Sequence, residues 1–273
     1  MNSEGTLTHA GRAGWRLFTH EALASTNDSA RQLSAWNAVC ARRQTSGRGR
    51  FGRSFVSDEG GLWISAVLPA GKEAGRWTGF SLMAGNHLLR MLHCLQIPQA
   101  RLRWPNDLMA DEKKLAGILI EQVAGETLIV GLGLNVRNTP WREMPELTAT
   151  TTRLADLLPE PPDLLDLATL VLDALADAHA AMLAGGLTAA LEEFNAHHEA
   201  RRITIALLEG KTRAGVFTGL DAMGNLRLTD SEGVEQIIDH SRVERLQEIA
   251  ALQPSKATPP LPVVREGPPP ASA

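Results

Sequence analysis

Residues Ser46-Gly47-Arg48-Gly49-Arg50-Phe51-Gly52-Arg53 place three glycines and three arginines within eight positions, a density found nowhere else in the 273-residue chain. Glycine lets backbone come close to a ligand and adopt positive φ without steric cost. Arginine offers a planar fork of donors that suits phosphate and carboxylate oxygens. Together they describe a loop that closes over something anionic. A solvated or RNA-binding Gly/Arg segment has the same local composition, so the stretch alone leaves both readings open.

Composition narrows the choice. A chain of this length makes about one to two domains, and 44% hydrophobic residues suffice for a sizeable core. A net charge of −4 argues against a nucleic-acid binder driven by bulk charge, so the basic residues act locally. The two cysteines, Cys40 and Cys94, form no disulfide framework, which suits a reducing compartment. Both thiols read as inert, with Cys94 on a buried helix face within Met91-Leu92-His93-Cys94-Leu95. The start, Met1-Asn2-Ser3-Glu4-Gly5, lacks the basic and apolar regions of a signal peptide. No apolar run approaches the roughly 20 residues that span a bilayer. The expectation is a soluble, cytoplasmic protein without a membrane partner.

The pattern along the chain divides it into four. Residues 1–14 are small and polar and are expected to be loose. Residues 15–200 alternate helical and strand signals. Thr26-Asn27-Asp28 starts a helix. Ala38 to Arg42, Leu62 to Leu68, Leu115 to Val123 and Thr127 to Val136 read as strands, the last two joined by a turn at Ala124-Gly125-Glu126. Gly75 to Leu95, Asp163 to Leu183 and Leu187 to His198 read as helices. Residues 201–250 hold short strands at regular spacing (Ile203–Leu207, Arg213–Phe217, Asn225–Leu228, Val234–Ile238), the pattern of a small β-barrel. Residues 251–273 form a proline-rich tail that cannot bury enough apolar surface to offset its ordering entropy. The fold class is α+β.

Four further segments bear on chemistry. Ser25-Thr26-Asn27 sets small polar groups at a helix start, where N-capping is the plain structural explanation. Gln44 ends a strand just before the glycine-arginine loop. Arg101-Leu102-Arg103-Trp104-Pro105-Asn106-Asp107 makes a turn that holds an acid and an amide between cations, with Lys114 opening the next strand. Asp107 could hold Mg²⁺, which binds through one or two carboxylates plus phosphates; a solvated turn with surface lysines is the bland alternative. Gly131-Leu132-Gly133-Leu134-Asn135 puts glycines inside an apolar strand, marking a bulge or the close approach of another group. Asn135 needs a hydrogen-bond partner there, ligand or backbone.

In this order, over residues 25 to 135, the segments resemble the biotin–protein ligases: Ser-Thr-Asn, a Gln before Gly-Arg-Gly-Arg-x-Gly-Arg, Lys-Trp-Pro-Asn-Asp, Lys-Leu-Ala-Gly-Ile-Leu-x-Glu and Gly-x-Gly-x-Asn. Two positions depart from the family pattern. Arg103 replaces its lysine, keeping charge with another geometry, and Phe55 replaces its tryptophan, keeping the ring without the N–H. The resemblance implies a class II aminoacyl-tRNA-synthetase-like mixed sheet with flanking helices, plus a small SH3-like barrel. About 24 residues precede Ser25, too few for the winged-helix domain of the family's repressors, so no DNA contact is expected.

The resemblance also implies roles. Biotin and MgATP give biotinyl-5′-AMP, and a lysine of a biotin carboxyl carrier domain then displaces AMP. Ser25, Thr26, Asn27 and Gln44 would contact the biotin head group, with Gly47 and Gly117 in its site. Arg48, Gly49 and Arg50 would cover valerate and phosphate. Lys114 would pair with the reacting oxygens, making Lys114, Arg50 and Arg48 the catalytic set. Arg50, Arg53, Phe55, Arg103, Asn106 and Asn135 would serve the nucleotide, and Asp107 the magnesium. No residue is marked as general base for the acceptor lysine, and both a monomer and a homodimer fit. A lipoate or octanoate ligase of the same superfamily is the rival enzyme. A non-enzymatic RNA-binding protein is the rival of another class, disfavoured by 4% aromatic content and net negative charge.

Overall fold

A computed structural model describes residues 5–71, 77–123 and 127–251. The expected turn at 124–126 and the proline-rich tail from 252 lie outside the described residues. Thirteen strands and five α-helices follow one another among those described. The first segments are β1 (Thr6–Ala10), β2 (Trp15–Leu23), α1 (Thr26–Ala30), β3 (Asn37–Gln44), β4 (Leu62–Pro69) and α2 (Phe80–Cys94). Next come β5 (Ala100–Arg103), β6 (Asp107–Ala110), β7 (Lys113–Val123) and β8 (Thr127–Leu134). Helices α3 (Leu154–Leu157), α4 (Leu164–Gly185) and α5 (Leu187–His197) lead into β9 (Arg201–Leu207), β10 (Thr212–Leu220), β11 (Leu226–Thr229), β12 (Glu235–Ile238) and β13 (Val243–Ala251).

The first eight strands form one sheet in the order β1-β2-β3-β4-β8-β7-β6-β5, and the last five a second sheet, β12-β11-β10-β9-β13. Among the described strands, β2 and β3 are the one pair that runs parallel. The large mixed sheet with few helices bears out the α+β class.

Strand periodicity divides the large sheet into two faces. Leu62, Ile64, Ala66 and Leu68 of β4, with Leu132 and Leu134 of β8, join one core with Leu88 and Leu92 of α2 and Leu167, Val171 and Leu175 of α4. The alternate positions face the other way. There Ser65 pairs with Gly131 and Trp63 with Gly133, while Leu119 pairs with Gly131 and Gly117 with Gly133. Three glycines thus clear the middle of one sheet face, and that face carries the site.

Three expectations need correction. Thr6–Ala10 is not loose, because its backbone pairs in register with Trp15–Thr19. Cys94 is exposed, since the buried stripe of α2 runs through Leu88 and Leu92 and the helix ends at Cys94. Helix α4 does have the length and apolarity to cross a membrane, with mean hydropathy 1.5, although half of that stretch is buried. Its apolar stripe packs on α2 and β4, and Asp173 and Asp177 on its other side bind Arg12 at 2.5 and 2.7 Å. The helix is therefore part of the core.

Candidate active site

Helix α1 begins the site. Ser25 caps it by accepting from the Asp28 N–H, as its sequence suggests. The next two side chains turn onto the glycine-cleared sheet face. Thr26 donates its backbone N–H to Gln44 Oε1 at 2.7 Å, with its hydroxyl 3.0 Å from the same oxygen. Asn27 lies against β8 so closely that a Cβ at Gly131 would fall 2.2 Å from its Oδ1. Its amide donates to Glu121 Oε2 at 2.7 Å, and Ser65 Oγ stands 2.6 Å from its Oδ1. Gln44 Nε2 donates to Ser57 Oγ at 2.8 Å. Ser25, Thr26 and Asn27 are all buried, so this hydrogen-bond network is in place before any ligand arrives.

The second part is ionic. Lys114 would face the helices if β7 alternated regularly. The pairing of β6 with β7 instead shifts between Leu108 and Met109, which pair with Ala116 and Lys114. Leu115 is the extra residue of this bulge, and a bulge re-aims its neighbours. Lys114 Nζ thereby comes 2.7 Å from Asp107 Oδ1, while Arg103 binds Asp107 Oδ2 at 2.6 Å. Burial works to raise the Asp107 carboxyl, but Lys114 and Arg103 outweigh it and hold it below the ordinary range. Gly117 leaves room for this arrangement, since a Cβ there would lie 3.1 Å from Lys114 Nζ. Phe55 packs over Gly133, and Lys114 Nζ sits 5.4 Å from its ring centre. The Asn106 amide clips the turn to β7 through the Ile118 carbonyl at 2.8 Å.

The glycine-arginine loop forms the third part. Each arginine has a different anchor. Arg48 pairs with Asp28 of α1. Arg50 donates to the His240 carbonyl at 2.9 Å, and Arg53 to the Glu244 carbonyl. Burial pushes the Arg50 guanidinium below its usual range, partly countered by Asp107. Phe51 and Gly52 take successive positive φ values of 57° and 70°, which only the glycine adopts without strain.

These parts line one cavity of about 900 Å³, closed on a further side by β13. Of the expected residues it gathers Ser25, Thr26, Asn27, Gln44 and Gly117, Arg48, Gly49, Arg50, Arg53 and Phe55, and Arg103, Asn106, Asp107 and Lys114. Two expected residues are not brought to it. Gly47 is buried beneath the loop, where a Cβ would lie 2.4 Å from the Phe55 carbonyl oxygen. Asn135 is buried, and its Oδ1 accepts from Asn138 Nδ2 at 2.9 Å. Its partner is therefore a side chain of the protein.

Mg²⁺ shared with substrate phosphates, as expected of Asp107, would have to displace Lys114 or Arg103 from this carboxylate. Both its oxygens are engaged by cations, and no group of three or more potential metal ligands occurs among the described residues. The carboxylate instead orients Lys114 and Arg103.

Ser57, Ser65, Glu121, Asp28 and β13 were missed in the sequence. Ser65 had a signal, as a polar residue within an apolar strand that must find partners when buried. Glu121 also had one, standing two strand periods beyond Gly117 on the same face.

Comparison with known proteins agrees with this geometry. Residues 18–135 match the model of the biotin/lipoate A/B protein ligase family. The chain is 30% identical over 236 residues to the bifunctional ligase/repressor BirA of Bacillus subtilis, covering 82% of this chain and 72% of that one. It is 31% identical to the biotin–[acetyl-CoA-carboxylase] ligase of Mycobacterium tuberculosis, covering 81% and 83%. The biotin protein ligase of Aquifex aeolicus in complex with biotin and ATP superposes with a TM-score of 0.75 at 26% identity, over 85% of this chain and 99% of that one. The chain belongs to the biotin protein ligase family.

Proposed function

We propose that this protein activates biotin with ATP and transfers it to a lysine of a biotin carboxyl carrier domain. One observation carries the reading: a buried amide-hydroxyl network and the cations Lys114, Arg103 and Arg50 line the same cavity. The names of the Mycobacterium and Aquifex relatives support it.

The reaction brings two anions together. A carboxylate oxygen of biotin attacks the α-phosphorus of ATP, the bond to the pyrophosphate oxygen breaks, and biotinyl-5′-AMP forms. Lys114, released toward the reacting oxygens, offsets the charge that builds in the transition state. Asp107 holds that ammonium in place before substrate arrives. Arg48, Arg50 and Arg53 close the loop over the phosphate side and keep water from the mixed anhydride. The acceptor lysine then attacks the acyl carbon; AMP leaves and the new amide nitrogen loses a proton. Magnesium enters with the nucleotide, as part of MgATP.

The remaining expectations join the proposal. The large sheet is read as class II synthetase-like. The second sheet is read as an SH3-like barrel, supported by irregular pairings in β10 and β13, which bend strands. Residues 15–200 and 201–250 are the two domains. Action without DNA rests on the net charge of −4, and a cytoplasmic setting on the two free thiols. Both monomer and homodimer remain compatible.

The test is ATP–pyrophosphate exchange with biotin, with lipoate and with neither. Exchange that needs biotin supports the reading. Exchange with lipoate alone assigns the chain to the other branch of the family.

A further inference from the structure

We propose that Glu112, in the turn between β6 and β7, is a positioning residue that ties the second sheet to the large one at the edge of the cavity, and so fixes the β13 wall on the nucleotide side. The inference deepens the ligase reading above and rests on it.

The turn breaks a local rule. Ala110 pairs with Lys113, so Asp111 and Glu112 form a two-residue hairpin loop, with φ of 47° and 61°. Such loops favour Asn-Gly, because both positions need positive φ. Aspartate tolerates that region, whereas a glutamate there is strained. Strain of this kind persists where the surroundings over-determine it. Around Glu112 they are two arginines from different sheets. Its Oε2 accepts from Arg101 Nη2 of β5 at 2.9 Å and from Arg201 Nη1 of β9 at 2.8 Å. Arg101 also forks onto Glu248 of β13, donating from Nη1 to Oε1 at 3.1 Å and from Nη2 to Oε2. Arg201 is 6% exposed, and its other carboxylate, Glu199, stands 3.6 Å away. A guanidinium so buried depends on its partner. Burial works to raise the Glu112 carboxyl, but Arg101 and Arg201 outweigh it and hold it below the ordinary range.

The tie reaches the site through β13. Residues 243–249 of that strand line the cavity, as Glu112 itself does. The same sheet anchors the loop, since Arg50 donates to the His240 carbonyl and Arg53 to the Glu244 carbonyl. Trp104 and Asn195 join the two halves elsewhere, through the Gly224 carbonyl at 3.2 Å and the Leu220 carbonyl at 3.0 Å. Those bonds fall on β10 and the turn after it. At β9 and β13 the ion pairs of Glu112 and Arg101 hold the wall to β5 and the β6–β7 turn. Lys114 stands two residues beyond Glu112. A change that misaimed it would lower the maximal rate, whereas a loosened wall raises the KM for ATP.

Three variants separate the tie from the fold. Glu112→Gln keeps the strained backbone and removes the charge. Asp111→Asn combined with Glu112→Gly gives the favoured turn, which relieves the strain and also removes the tie. Glu248→Gln removes the charge at the β13 end. In ATP–pyrophosphate exchange at saturating biotin, each should raise the KM for ATP by about tenfold, the loss of about one charge-assisted bond. The maximal rate should stay within about threefold, and biotin affinity without ATP within about twofold. The Asn-Gly variant should melt no lower than Glu112→Gln, so that the KM does not follow stability; it also serves if Glu112→Gln does not fold. Glu112→Gln and Glu248→Gln act through the same Arg101, so their combination should exceed the worse single variant by less than about threefold. An unchanged KM for ATP in the Asn-Gly variant overturns the inference. So does a fall in maximal rate at unchanged KM, or a full further tenfold rise in KM in the combined variant. A wild-type protein without biotin-dependent exchange overturns both this inference and the reading beneath it.

Discussion

The network around Thr26 and Asn27 and the arginine loop hold their polar groups by opposite means. In the network, Ser25, Thr26 and Asn27 are 3%, 4% and 4% exposed, and their partners Asp28, Gln44, Ser65 and Glu121 sit on α1, β3, β4 and β7. In the loop, the Arg48 and Arg53 side chains are 38% and 41% exposed, and their partners lie on α1 and in the second sheet. Buried, fully satisfied polar groups are rigid and costly to disturb. Exposed arginines in contact with carbonyls and carboxylates gain little from each contact. The difference suggests a division of work, in which the rigid end recognises the acid and the loose end adapts to retain what is made from it.

Lys114 lies between the two regions and should show the largest effect. Lys114→Ala removes the cation that the β7 bulge turns onto the site face beside Asp107. Adenylate formation should fall by about 10² to 10³, as for loss of one preorganised charge, with little change in biotin affinity measured without ATP. Near-normal pyrophosphate exchange would take Lys114 out of the chemistry.

The rigid end is broken most sharply at Gly131. An alanine Cβ would lie 2.2 Å from Asn27 Oδ1, so Asn27 must leave Ser65 and Glu121 together. Biotin affinity should fall by about a hundredfold, two bonds of which one is charge-assisted. The melting temperature should fall as well, by about 5–10 °C. Unchanged affinity would mean that the Asn27 network plays no part in recognition.

Asp107→Asn tests the junction itself. Lys114 and Arg103 lose the carboxylate that orients them, and adenylation should fall by about tenfold while the dependence on magnesium concentration keeps its midpoint. A shifted midpoint would return Asp107 to the metal. The pH dependence has a definite sign. The folded carboxyl lies below its unfolded value, so its stabilising contribution is present above about pH 4 and is lost as pH falls through the folded value. Wild type and Asp107→Asn should therefore differ in stability at neutral pH and converge in acid.

Arg50→Gly addresses the loose end. Arg50 reaches the His240 carbonyl from the loop and is free to change partners when an anion arrives. Removing it should leave activation partly intact, because Lys114 and Arg48 remain. Release of preformed adenylate should quicken by about tenfold, with the loss falling on the off-rate. A pulse of labelled biotinyl-AMP chased with unlabelled material measures it. Lost activation with unchanged release would place Arg50 in the chemistry.

The two regions also differed in how far their sequence could be read. The loop was legible through the ordered motifs around it, since its composition alone left an RNA-binding reading open, and β4, β7 and β8 because each carries an apolar run. Strand β2 was missed: Trp15 and Leu17 alternate with exposed Arg16, but His20 and Glu21 break the pattern, and its parallel partner begins only at Asn37. Strand β13 reads Val-Glu-Arg-Leu-Gln-Glu-Ile, a mixed pattern that becomes a strand through pairing with β9, 40 residues earlier in the chain. Strands β5 and β6 were hidden by the Pro105-Asn106 turn that joins them. Ser65 and Glu121 could not be placed behind Thr26 and Asn27 without the register that joins β4, β8 and β7. Lys114 was found for its charge, whereas the bulge that aims it is invisible in sequence.

The smallest effect should come from Gly49→Ala, and it sharpens the comparison most. Gly49 has φ −103°, which any residue can adopt, and the nearest atom to an added Cβ is the Arg53 carbonyl oxygen at 3.8 Å. Nothing in the protein therefore requires glycine there, in contrast to Gly131. Alanine also restricts the unfolded chain slightly, which offsets what the loop loses. The melting temperature and biotin affinity should stay within about a degree and about twofold of wild type. If affinity for biotin or ATP instead falls by tenfold or more, the cost must arise against the ligand, since the free protein has room for the methyl group. The loop backbone would then press on the bound molecule as closely as the sheet glycines approach Asn27, and the loose end would become rigid once filled.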